Sequence, residues 1–134
     1  MDPLSATASI IAILQFSGKV LGYLNDVKSA SKDRSKCTIE VANLNSLLIA
    51  LRFHLEESSS STPWYAAART LAVENGPLDQ FKQALEELQT NMVGGGKIGG
   101  TLVWKFKKEE IASILYRMER LKTLVEVALQ MDHL

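Results

Sequence analysis

The chain has 134 residues, 46% of them apolar, with 15 basic residues balanced by 15 acidic ones. That length suits one domain, residues 1–134, able to bury roughly two-thirds of the surface of its unfolded chain. The zero net charge provides no global field for nucleic acid, and the single cysteine excludes an internal disulfide and suits a reducing compartment.

Charge is nonetheless uneven. Residues 1–36 carry five positive and three negative charges, residues 56–92 two and six, and residues 97–134 seven and five. Apolar content with few aromatics, and Gly and Pro confined to a few places, predicts an all-α domain.

Asp2 and Pro3 form a helix start, an N-cap oxygen followed by proline at the first helical position. The stretch Leu4–Leu24 then has Lys19 as its only charge. As a helix it would be roughly 31 Å long, about the hydrocarbon thickness of a bilayer. Large apolar residues (Leu4, Ile10, Ile11, Ile13, Leu14, Phe16, Val20, Leu21) alternate with small ones, and Gly18 to Gly22 is a G-x-x-x-G that permits close helix approach. Without a basic leader segment it is a poor secretory signal. Lys19 argues against a resident span, so the expectation is a soluble bundle with this apolar helix at its centre.

Ser29–Ser35 is polar, a short connection or a continuation of helix. Cys37, Val41, Leu44, Leu48, Leu51 and Leu55 then recur at 4-3-4-3-4, an amphipathic helix of about 25 residues whose stripe is core. Cys37 on that stripe reads as a small buried hydrophobe. After the serine run Ser58–Ser61, Thr62-Pro63 repeats the cap-plus-proline start. A short helix from Trp64 to about Val73 follows, with Trp64, Ala67, Ala68 and Leu71 on one side, and Asn75-Gly76-Pro77 breaks it.

From Pro77 another helix buries Leu78, Phe81, Leu85, Leu88 and Met92, and the glycine-rich Gly94–Gly100 is a flexible connection. The last helix starts between Val103 and Lys107 and runs to about Met131, with Ile111, Leu115, Met118, Leu121 or Lys122, Val125 and Ala128 on its buried face. The predicted architecture is an up-down bundle of four long helices plus one short helix.

The residues give little for catalysis. Neither His54 nor His133 has a second ligand at helical metal-binding spacing, and adjacent carboxylates such as Glu86-Glu87 splay around their helices. Gly94, Gly96 and Gly99 match the dinucleotide fingerprint formally, but a helix precedes them where a strand is required. Ile98 after Lys97 rules out a Walker loop. No catalytic, metal or cofactor residues are assigned; the expectation is a non-enzyme without cofactor. In Trp104–Lys108 aromatic and cationic groups alternate, so Lys105, Lys107 and Lys108 are candidates for an anionic lipid surface. The plainer reading is that Trp104 and Phe106 plug the end of the bundle while the lysines face water.

The opening DPLSATASIIAILQFSGKVLGYLNDVK, the central PWYAAARTLAVENGPLDQFKQALEELQ and the closing WKFKKEEIASILYRMERLKTLV resemble the fungal HeLo-like cell-death domain found at the N-terminus of STAND-type, NOD-like receptor NTPases. The likeness covers essentially the whole chain and consists of apolar patterns without a chemical signature. It implies a helical bundle akin to the executioner domain of the mixed-lineage kinase-like necroptosis protein, with NTPase and repeat modules downstream. It further implies self-association, cytoplasmic residence and relocation to the plasma membrane, where the N-terminal helix, here Leu4–Leu24, inserts into lipid. This is the chemistry of innate immunity, heterokaryon incompatibility and programmed cell death. Some members of such groups are adaptors only, so a non-toxic interaction module is the alternative expectation. Nucleic acid is not an expected partner.

Overall fold

The computed structural model describes residues 3–27, 31–57, 63–93, 104 and 106–131. They form five helices: α1 (Pro3–Asp26), α2 (Lys32–Glu57), α3 (Pro63–Leu71), α4 (Pro77–Val93) and α5 (Lys108–Met131). The protein is all-α, and the long helices form a ring in which α1 touches α2 and α4, and both of these touch α5.

Local chemistry sets the helix ends. Ser31 is the N-cap of α2: its hydroxyl accepts from the Arg34 N–H at 3.2 Å and its carbonyl accepts from Ser35. Ser31 therefore marks the boundary within the polar Ser29–Ser35 stretch, and residues 32–35 are helix. At α5 the Glu110 carboxylate reaches back to accept from the Lys107 N–H at 3.0 Å, half of a capping box. Short helix α3 ends at Leu71, two residues before the predicted Val73, because the Ala72 N–H closes a tighter turn onto the Arg69 carbonyl.

The turn into α4 is the most constrained. Asn75 sits in the left-handed region at φ 59°, and its N–H donates to Asp79 at 2.8 Å. Gly76 then starts α4 by accepting from Gln80. A Cβ on Gly76 would lie 2.8 Å from both the carbonyl oxygen and a methyl of Val73, so only glycine fits.

Helix directions follow from side-chain pairs. Arg34, early in α2, reaches the Leu24 carbonyl late in α1, so these two are antiparallel. Asn91 and Glu87 of α4 meet Glu110 and Arg117 of α5, again antiparallel. Lys36 and Glu40 of α2 lie beside Ala112 and Glu119 of α5, so those helices run parallel. Direction alternates along the chain, yet the ring order α1–α2–α5–α4 makes two of its four contacts parallel. The α2-to-α4 connection must cross the bundle, and α3 makes that crossing packed on α5.

The core is continuous among the described residues. Leu44, Leu48, Leu51, Leu55, Phe81, Leu85, Leu88, Met118 and Val125 are all buried in it, with Cys37 and Val41. Two expectations need correction. First, α1 is not central: it occupies a corner of the ring, and α5, touching α2, α4 and α3, is the more enclosed helix. The residues that made α1 look apolar all round include many small ones, and those fill its outer side. Second, Leu115 is half-buried, and Ile114 takes its place in the core. The interior stripe of α5 is Ile111, Ile114, Met118, Leu121, Val125 and Ala128; one helical step of 100° separates Ile114 from Leu115, and both are apolar.

Candidate functional site

Two surfaces carry features that packing alone does not explain. The first is α1. Ile10, Ile13, Val20 and Leu24 are buried against the bundle, while Ile11, Leu14, Phe16 and Leu21 are half-buried flanks. Ala8, Ala12, Gln15, Gly18, Lys19 and Gly22 are exposed. The stretch Ala6–Asp26 is long and apolar enough to cross a membrane, and 28% of it is buried. Leu4 lies in α1, but its side chain is outside the described residues.

Gly18 and Gly22 face outward with nothing within 4 Å of a Cβ built on either. Among the described residues the G-x-x-x-G thus serves no helix contact. A Cβ-free surface one turn long is otherwise a cost, since glycine inside a helix is less favourable than alanine by about 0.8–1.0 kcal/mol.

Polar contacts from α2 reach α1 at Ser17 and at Leu24. The Ser17 hydroxyl, fully buried, shares its one proton between the Leu14 carbonyl at 3.0 Å and the Asn45 side-chain oxygen at 3.1 Å. The Arg34 guanidinium donates to the Leu24 carbonyl at 3.0 Å, a cation on a helix C-terminus, where the dipole favours it. A shallow cavity of about 240 Å³ lies at the α1–α4 contact, lined by Ser9, Ala12, Ile13, Phe16, Asp79 and Lys82.

The second surface is a groove of about 540 Å³ between α2 and α5, lined by Lys36, Ile39, Glu40, Ala112, Leu115, Tyr116 and Glu119. Ile39 is 57% and Tyr116 68% exposed, so two large apolar side chains stand in water at its rim. Two of the lining carboxylates meet Lys122, which lies 3.9 Å from Glu40 and 3.8 Å from Glu119. One Glu40 oxygen is buried with no hydrogen-bond partner among the described residues. Sequence reasoning missed this groove, because Ile39 and Tyr116 lie off the buried stripes and isolated apolar surface residues carry no periodic signal.

Trp104 and Phe106 pack against the core with ring centroids 4.4 Å apart and planes tilted by 45°, while Lys107 and Lys108 are exposed. Aromatics therefore close the bundle end and cations face water; Lys105 lies outside the described residues. Cys37 is fully buried, and desolvation, then the nearby Asp33 and Glu40 carboxylates, push its thiol from 9.0 up to about 12. At neutral pH it is a thiol, not a nucleophile. Among the described residues no three His, Cys, Asp or Glu side chains converge as a metal site.

The chain matches no protein-family model, no curated protein and no solved structure. The resemblance to HeLo-like domains therefore stands on the quoted apolar patterns alone.

Proposed function

We propose that this is a non-enzymatic, membrane-targeting effector domain of the cell-death type, in which α1 exchanges its contacts with α2 and α4 for lipid. One observation carries the reading: a helix of membrane-spanning length and composition occupies a corner of the bundle with 28% of that stretch buried. Such a helix leaves with two neighbours to give up, and the rest of the ring keeps the α2–α5 and α4–α5 contacts. The resemblance supports the same reading and adds self-association and an NTPase module as the source of the activating signal. Lys107 and Lys108, exposed at the start of α5, would add roughly 1 kcal/mol each near an anionic surface.

A reversible lock tests it. Ser17 and Asn45 already touch, so Ser17→Cys with Asn45→Cys offers a disulfide between α1 and α2. The buried Cys37 thiol does not compete. Oxidised protein should leave anionic liposomes intact, and reduction of the same sample should release entrapped dye. Equal leakage in both states, or none from the reduced protein, ends the proposal. The second reading, an interaction adaptor, is favoured by the exposed apolar rim of the α2–α5 groove.

A further inference from the structure

The cavity at the α1–α4 contact is walled by the helix on which the proposed function rests. α1 supplies Ser9, Ala12, Ile13 and Phe16, spaced i, i+3, i+4 and i+7, so they form one face of that helix. α4 supplies Asp79 and Lys82, about one turn apart near its N-terminal end. The α1 wall is therefore an apolar floor with a single hydroxyl, and the α4 wall is a polar rim. Ile13 is buried and Ser9 and Phe16 are half-buried; Ala12 and Lys82 are exposed, which places them at the mouth.

Size and charge define what fits. An apolar cavity of about 150 Å³ holds benzene, with six heavy atoms, so about 240 Å³ has room for about nine or ten, a fused two-ring molecule. The rim carries one cation and one anion, and among the described residues no other charge lines the cavity. Lys82 draws an anion that Asp79 repels, and Asp79 draws a cation that Lys82 repels. Asp79 is also held in place, since one of its oxygens accepts from the Asn75 N–H at 2.8 Å. A charged ligand would give up hydration for no net attraction, whereas an uncharged one gives up little. Phe16 favours an aromatic occupant, because offset or edge-to-face rings gain more than area burial alone.

We infer that this cavity is a binding site for a small uncharged aromatic molecule, and that its occupant holds α1 against the bundle. The ligand touches both helices at once, and α4 is one of the two neighbours α1 has to leave. A molecule that binds the docked arrangement alone favours it by mass action, about elevenfold at ten times its Kd. Binding stands on the cavity; the hold on α1 rests on the lipid exchange proposed above. An open cavity sets a modest affinity. For about nine heavy atoms, efficiencies near the lower end of the small-ligand range place Kd at about 0.1–1 mM.

Indole is the probe, with indole-3-acetate and tryptamine as its anionic and cationic analogues. Each is titrated to about 10 mM into the isotopically labelled whole chain without lipid, and backbone amide shifts are followed. Indole should saturate with the largest shifts among residues 9–16 and 79–82, and both charged analogues should bind at least about fivefold more weakly. Ala12→Phe, at the exposed mouth, should abolish indole binding by filling the cavity. Phe16→Leu, which keeps an apolar wall and removes the ring, should weaken it about threefold. On anionic liposomes, indole at ten times its Kd should slow wild-type dye release about tenfold and leave Ala12→Phe unaffected, which separates action on the protein from action on the bilayer.

Amide shifts that do not move, or that centre on Ile39 and Tyr116 of the α2–α5 groove, overturn the site. So do charged analogues that bind as well as indole, or folded Ala12→Phe and Phe16→Leu proteins that bind it unchanged. Binding in the cavity with dye release unslowed overturns the hold on α1. A protein that never releases dye overturns the effector reading instead, and the amide shifts still decide the site.

Discussion

Replacing Gly18 and Gly22 together by alanine separates what the folded bundle needs from what the sequence motif provides. Both lie inside α1, are exposed, and have open space where a Cβ would go. Each substitution removes the entropic cost of a mid-helix glycine, about 0.8–1.0 kcal/mol, and introduces no clash. Together they should stabilise the domain by about 1.5–2 kcal/mol. For a chain of this size that is a rise in Tm of roughly 5–10 °C, interpolating between the shifts per kcal/mol of smaller and larger domains. Thermal unfolding followed by circular dichroism reads it directly. Leakage on anionic liposomes should move the other way. Methyl groups on a surface that meets no helix in the bundle obstruct close approach between α1 helices once they are in lipid. A Tm that fails to rise refutes the outward placement of the motif; a Tm that rises with leakage unchanged refutes a membrane role for the glycines.

Four further predictions rest on the packing. Ile114→Ala should cost about 2–5 kcal/mol in urea unfolding, and Leu115→Ala distinctly less, since the first is buried and the second half-buried. Gly76→Ala should destabilise by about 1–3 kcal/mol through overpacking against Val73, and a neutral result in the same assay would count against the tight turn. Cys37 should resist a thiol reagent at pH 7.5 in the folded protein and react in denaturant. Its raised pKa favours the folded state fully below about 9, and that contribution should fall away as pH rises from 9.0 towards about 12. Arg34→Ala should increase dye release at least several-fold, because a hydrogen bond from a charged group is worth about 1.5–3 kcal/mol; Ser17→Ala should change it less than about twofold, because the wild-type hydroxyl keeps its Leu14 partner when α1 leaves and so adds little to retention.

The interior of α2 and α4 was legible because each faces its neighbours along one stripe: Leu44, Leu48, Leu51 and Leu55, or Phe81, Leu85 and Leu88, repeat at heptad spacing and all are buried. The helix starts at Pro63 and Pro77 and the break at Asn75-Gly76 were legible for the same local reason, each acting within a turn of itself, while the expected cap residues Asp2 and Thr62 lie outside the described residues. Ring order was not. Whether α2 is followed in space by α4 or α5 depends on how faces match across the whole bundle, and the parallel α2–α5 pairing left no mark on any one segment. On α5 periodicity found Ile111, Met118, Val125 and Ala128 but missed one position, because three neighbours widen the apolar arc and Ile114 and Leu115 both satisfy it. On α1 the error was one of kind: alanine and glycine count as apolar in a sequence, yet on a helix surface they are merely small.

That difference bears on how α1 is retained. Burial of Ile10, Ile13, Val20 and Leu24 is worth about 1.5–3 kcal/mol each, together far more than the polar contacts described for Ser17 and Leu24. Transfer into a bilayer returns that apolar term, since hydrocarbon replaces hydrocarbon, so the large contribution cancels in the exchange. The small terms are left to decide it. Ser17 costs little to move, because its hydroxyl already bonds the Leu14 carbonyl of its own helix. The Arg34 bond to the Leu24 carbonyl has no such internal substitute, since it spans two helices and caps an orphan group at the end of α1. In the proposed exchange, therefore, the strength of the packing decides whether the bundle folds, and the Arg34 contact at the corner of the ring biases where the first helix resides.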